Sequence, residues 1–517
     1  MNGRAHPIQR SDIHLHIDVP VSDMGLENTP IVEPCHRITT MNRRYYRGWM
    51  VCLAGFILDV PFMGMVMSFG ELLSPLLDTF GGGTALISWV GSIGFGMAYV
   101  ANPISANLYH RFGCRRVSLC GVLLGAISLF LCSYVKSFGL MFLTYSLMFG
   151  FATNLTYNPP LILTGAWFQT HHHVLATCTL VAGIPFGSLV MNPVCEALLE
   201  RVGLEKTFVC LSVVVLVIGI PCSLVFAQPP DDYDELDEKG ENDIGVQTPK
   251  TQIPNSDSGS EWLKEMISKE REPYSICCVG CQPELWTDSI FLLYLLGQFV
   301  KGLGYVFPFI HLVTFMRSIG IPGKQGSIVM TIKGLSDMIG RLLAGILGES
   351  LPFQIIHMYV ICTGIMAITT YLVTFAHNFT HMVFYAIFIG FFNGVFNSLL
   401  FPTTTQLFRK DLARQAWAFC QVPPGIAIII GPGVAGFIYD ATKNYTVDFY
   451  VNTGIFELAM LIFASIPAIR LGRWLWENKH QTEESKRRPT VIEMTRLFVK
   501  EYHGKRKHQQ KGYSSFE

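Results

Sequence analysis

Three ionisable side chains, Lys333, Asp337 and Arg341, recur at steps of four within an otherwise apolar stretch of this 517-residue sequence. On an α-helix that spacing sets them along one face, about 6 Å apart per step. A guanidinium presents a planar fork that grips a carboxylate through two hydrogen bonds. An aspartate one turn away competes for that fork while it is charged. Protonating Asp337 therefore releases Arg341 to another carboxylate. The group reads as a site that binds an anion and takes up a proton, with Asp337 as proton carrier, Arg341 as clamp and Lys333 beside them. Spacing alone leaves a second reading open, a salt-bridged strut that locks two helices together.

Asp59, Lys301 and Glu457 also lie well inside apolar runs, so three acids face three bases. A charge at the centre of a membrane helix costs roughly 2.5–3.5 kcal/mol on insertion scales, which makes an unpaired one hard to retain. Asp59 precedes Val60-Pro61, where a helix bends, and is read either as a contact to substrate or cation or as the partner of a lysine. Glu457 is expected to be paired or interfacial. Lys301 is a candidate partner for either acid.

The elements that position these groups follow from composition. Half of the residues are hydrophobic and 15% are charged, against about a quarter charged in an ordinary soluble domain. The charges are also uneven. Residues 1–47, 228–286 and 470–517 hold 48 of the 76, leaving 28 for the other 363 residues. An ordinary cytosolic enzyme is excluded, and an all-α polytopic membrane protein with three polar segments is expected. Net charge is zero, so nucleic acid is not an expected partner.

A bilayer-spanning helix takes about 20 mostly apolar residues. Twelve such runs centre near Ile57, Phe95, Ala126, Phe149, Gly183 and Val215, then Gly302, Gly340, Gly364, Gly390, Ile429 and Ala459. The expected organisation is an N-terminal tail over 1–46 and a six-helix half over 47–227. A polar linker over 228–286, too poor in apolar residues to order itself, leads to a second six-helix half over 287–469 and a basic tail over 470–517. With the N-terminus cytoplasmic, the inner loops receive Arg43, Arg44, Arg47, Arg111, Arg115, Arg116, Arg409, Lys410 and Arg414. That bias puts both termini and the linker in the cytoplasm.

Two six-span halves joined by a cytoplasmic linker resemble the major facilitator architecture, in which substrate binds near mid-membrane between the halves. The loop Arg111-Phe112-Gly113-Cys114-Arg115-Arg116 is similar to that superfamily's R-x-G-x-R-R signature, with His110 where an acid is common. Asp337 through Arg341 looks like the D-x-x-x-R element in span 8 of the monocarboxylate transporter family. Arg47-Gly48-Trp49, Ile87-Ser88-Trp89, Asn158-Pro159, Ala182 through Gly187, and Gly431-Pro432 through Asp440 add to the likeness, which covers about 430 residues, 47–476.

The resemblance implies a plasma-membrane secondary carrier of a small organic acid, coupled to protons and working by alternating access. Arg341, Lys333 and Asp59 would bind substrate and Asp337 would carry the proton. No cofactor or metal is implied. Some relatives need a single-span glycoprotein for surface delivery, and such a partner is an open expectation here. Two departures stand out. Relatives that carry lactate have a lysine late in span 1, where this chain has Met67, so either Lys333 or Lys301 substitutes or the coupling differs. The family's basic run before span 5 is replaced by His171-His172-His173, read as a polar loop, with a pH-responsive gate or a metal site as alternatives. Cys277, Cys278 and Cys281, just before span 7, are read as reduced or acylated thiols, with zinc binding as a third alternative.

Two other functions stay open: proton-independent facilitated movement of a zwitterionic or amino-acid-like solute, and a transport-inactive membrane sensor or scaffold. An enzyme is not expected, since no phosphate loop, HExxH pair or nucleophile elbow stands in a suitable context.

Overall fold

The computed structural model describes residues 34–80, 84–168, 172–229, 283–350, 353–442 and 444–480. His171, the linker from 230 to 282 with Cys277, Cys278 and Cys281, and the tail beyond His480 lie outside the described residues. Contacts divide the chain into two units, Met1–Tyr46 and Arg47–Glu517. In the first, the described backbone is helical. The second holds everything discussed below.

The described residues fold into helices. The first half contains α1 (Pro34–Met67), α2 (Phe69–Phe80), α3 (Thr84–Val100), α4 (Asn102–Phe112), α5 (Cys114–Cys132), α6 (Phe138–Trp167), α7 (His173–Val202) and α8 (Leu204–Val225). The second contains α9 (Ser289–Ser318), α10 (Gly323–Gly348), α11 (Ile356–Val373), α12 (Phe379–Ser398), α13 (Leu400–Leu407), α14 (Lys410–Cys420), α15 (Val422–Thr442) and α16 (Tyr445–His480).

Among the described residues nine helices are long and apolar enough to cross a membrane. The other three of the twelve expected runs are helical as well. Ile87–Val100 lies in α3, of 17 residues, and α9 runs for 30 residues, Ser289–Ser318. α10 has the length, at 26 residues, but carries Lys333, Asp337 and Arg341. Large apolar side chains such as Phe437, Val217 and Ile368 are 75%, 66% and 62% exposed. A surface of that kind suits lipid rather than water.

Glycines let the site-bearing helices approach closely. A Cβ at Gly340 would collide with the Phe391 carbonyl, one at Gly390 with that of Lys333, and one at Gly394 with that of Asp337. α10 and α12 thus meet backbone to backbone, the arrangement small residues permit within a membrane. At the signature loop, Gly113 takes φ 79° between α4 and α5, a conformation that disfavours a Cβ. Arg115 donates its Nε to the Leu224 carbonyl at 3.1 Å, tying the start of α5 to the end of α8.

Candidate functional site

The three charges of α10 lie where the spacing predicts. Lys333, Asp337 and Arg341 are 5%, 7% and 4% exposed. Arg341 Nε donates to Asp337 Oδ1 at 2.6 Å, one turn away on the same helix. Its Nη1 donates to the Val181 carbonyl of α7 at 3.1 Å. Local sequence explains that acceptor. Pro185 has no N–H to give to the carbonyl four residues back, so Val181 turns its oxygen to a side chain from the other half.

Arg341 lines a small cavity with Met67, Tyr99, Tyr157, Gln298 and Lys301, so both halves contribute to its wall. Met67, a thioether, is one of these residues. Lys301 does not pair with Asp59 or Glu457. Its Nζ donates to Asn397 Oδ1 at 2.8 Å and Asn393 Oδ1 at 3.1 Å, and lies 4.4 Å from the Phe396 ring centroid and 5.0 Å from that of Tyr305. Asn393 continues the chain of contacts, donating its Nδ2 to Asp337 Oδ2 at 3.0 Å. Lys301, Asn393, Asp337 and Arg341 therefore form one connected network across α9, α12 and α10.

The remaining candidates fall in different places. Lys333 borders a smaller space with Tyr305 and Asn393, its Nζ 5.9 Å from the Tyr305 ring centroid. Asp59 is buried, and among the described residues neither carboxylate oxygen meets a hydrogen-bond donor. It does not line the larger cavity. Its Cβ faces Gly183, where an added methyl would come within 3.1 Å. Glu457 is exposed on the outer face of α16.

His172 and His173 start α7. His172 has φ 59°, the one positive value outside glycine among the described residues, and its Nδ1 lies 3.7 Å from Glu349 Oε2. His173 Nδ1 meets the Phe168 carbonyl at 2.9 Å and Nε2 meets Thr405 Oγ1 at 3.4 Å. The histidines thus join α7 to the second half, away from the cavity wall.

Sequence reasoning passed over Gln298, Asn393 and Asn397. A signal was present: Gln298 and Lys301 are three apart, Asn393 and Asn397 four apart, each pair on one face of an apolar helix. At one end of the bundle the halves interlock through amides. Asn102 Nδ2 donates to the Trp417 carbonyl at 3.0 Å, Trp417 Nε1 to Asn158 Oδ1 at 2.8 Å, and Asn158 Nδ2 to Ser105 Oγ at 2.8 Å.

The chain is similar to known proteins over most of its length. The family model described as Major Facilitator Superfamily matches residues 51–352 and 290–501. The chain is similar to monocarboxylate transporter 3 of Rattus norvegicus, with 25% identity over 420 residues, 81% of this chain and 79% of the relative. It is 23% identical to monocarboxylate transporter 13 of the same organism over 412 residues, 80% of this chain and 87% of the relative. Against monocarboxylate transporter 14 of Homo sapiens the identity is 21% over 466 residues, 82% and 91% of the two chains.

Proposed function

We propose, from the premise that this chain belongs to the Major Facilitator Superfamily, that it is a proton-coupled carrier of a small carboxylate-bearing solute working by alternating access. It is a multi-pass membrane transporter related to the monocarboxylate transporters, not an enzyme. One observation carries the finer reading: Arg341, facing a cavity walled by both halves, is held by Asp337 at 2.6 Å on the same helix. With Asp337 charged, the fork of Arg341 is occupied. With Asp337 protonated, the fork turns to the solute carboxylate. Solute and proton then cross together, because each favours the state that holds the other.

The transport cycle needs the halves to open alternately toward the two sides. The amide interlock of Asn102, Asn158 and Trp417 supports that reading, since it closes one end through few hydrogen bonds. Loop charges favour both termini on the cytoplasmic side, and a plasma-membrane location belongs to the same proposal. A single-span glycoprotein partner belongs to the same proposal. Met67 in the cavity wall favours a second reading, proton-independent passage of a zwitterionic solute, because a thioether neither pairs with a carboxylate nor takes up a proton.

A screen of labelled solutes in cells expressing the wild type and Arg341→Ala, matched for surface abundance, tests the carboxylate reading. A carboxylate taken up by the wild type and lost in the variant is the expected result. Uptake confined to solutes without a carboxylate, or indifferent to Arg341, would overturn it. Absence of any flux would favour the sensor or scaffold.

A further inference from the structure

We propose that Lys301 and Gln298 form a second anion-binding end of the cavity, and that the solute is a small dicarboxylate. The inference rests on the carboxylate reading above and narrows it. Gln298 and Lys301 stand one turn apart on α9, 1% and 4% exposed, and both line the cavity that Arg341 lines. Gln298 Nε2 is buried without a hydrogen-bond partner among the described residues. A buried amide N–H left unmade is costly, and Gln298 belongs to the cavity wall.

Lys301 makes the same demand more strongly. Its acceptors, Asn393 and Asn397, are neutral amides, and its remaining contacts are the rings of Tyr305 and Phe396. A buried ammonium without an acidic neighbour needs a countercharge. Asp337 does not supply it directly, because its two oxygens accept from Arg341 and Asn393.

Protonating Asp337 leaves two cations, Arg341 and Lys301, on the wall of one cavity. A monocarboxylate offsets one of them. A dicarboxylate offsets both, with one carboxylate on the Arg341 fork and the other accepting from Lys301 Nζ and Gln298 Nε2. The two cations on the cavity wall are then offset with Met67 contributing no charge.

The test uses the full chain in liposomes under an inward proton gradient, with labelled succinate and labelled butyrate as four-carbon probes. In the wild type, succinate should be preferred over butyrate by at least about tenfold, the scale on which a buried charge pair discriminates. Lys301→Met should collapse that ratio by lowering succinate uptake more than butyrate uptake, and Lys301→Arg should preserve it. Should Lys301→Met fail to fold, Gln298→Leu must lower the ratio in the same direction. Butyrate moved as well as or better than succinate by the wild type would overturn the dicarboxylate while leaving the carboxylate reading intact. An unchanged ratio in Lys301→Met would overturn the role of Lys301. Failure to move either acid would count against both.

Discussion

Asn393 stands between Lys301 and Asp337, its Oδ1 accepting from the lysine at 3.1 Å and its Nδ2 donating to the aspartate at 3.0 Å. One amide therefore touches both the cation that lines the cavity and the acid that holds Arg341. Asn393→Leu keeps the approximate volume and removes both bonds. A lost bond to a charged group is worth about 1.5–3 kcal/mol. The KM for the transported acid should rise about tenfold or more, and the pH profile of uptake should flatten relative to wild type. A general fall in uptake with the wild-type pH profile would leave Asn393 as a packing residue only.

Pro185 positions Arg341 from the other half. With no N–H to offer, it leaves the Val181 carbonyl to Arg341 Nη1 at 3.1 Å. Pro185→Ala returns that carbonyl to the α7 ladder and removes an anchor worth on the order of 1 kcal/mol. The variant should show a KM a few-fold higher for the carboxylate with little loss of thermal stability. An unchanged KM would mean that Asp337 alone orients the guanidinium.

Trp417 links the halves at the interlocked end of the bundle, and Cys420 reports on it, being fully buried with its thiol donating to the Trp417 carbonyl at 3.2 Å. Trp417→Phe removes the indole donor to Asn158 and leaves that buried amide oxygen unpaired, at a cost of about 1–3 kcal/mol. That end should open more often. Thiol labelling at Cys420, measured against a Cys420→Ala background, should accelerate by about tenfold. A rate equal to that of the wild type would show that the bond does not hold the halves together.

Much of this was legible in the sequence where local spacing decides the outcome. The step of four through Lys333, Asp337 and Arg341 fixed one helix face, and the charges on it are what stop α10 from reading as an ordinary apolar span. The Arg111–Arg116 signature found its glycine at positive φ. Lys301 shows where legibility ends. Its partners come from a helix 92 and 96 residues further on, and no spacing within α9 announces them. Asp59 was read as a substrate or cation contact or as a lysine's partner, and its Cβ faces Gly183, a placement set by how α1 and α7 pack. The backbone breaks were only half visible. Pro185 and Pro402 mark them, but which donor takes up each freed carbonyl depends on the neighbouring helix. Arg341 serves Val181, and the Cys178 thiol serves Ser398 at 3.5 Å.

Coupling through Asp337 is tested most directly by acid uptake into liposomes as a function of an imposed proton gradient, in wild type and Asp337→Asn side by side. The wild type should accumulate the carboxylate when the gradient points inward and stop when the gradient is collapsed. Asp337→Asn, which cannot take up a proton, should lose that dependence and the accumulation driven by it, whatever exchange it retains. Accumulation in Asp337→Asn with the same dependence on the gradient as wild type would contradict the assignment of the proton to Asp337.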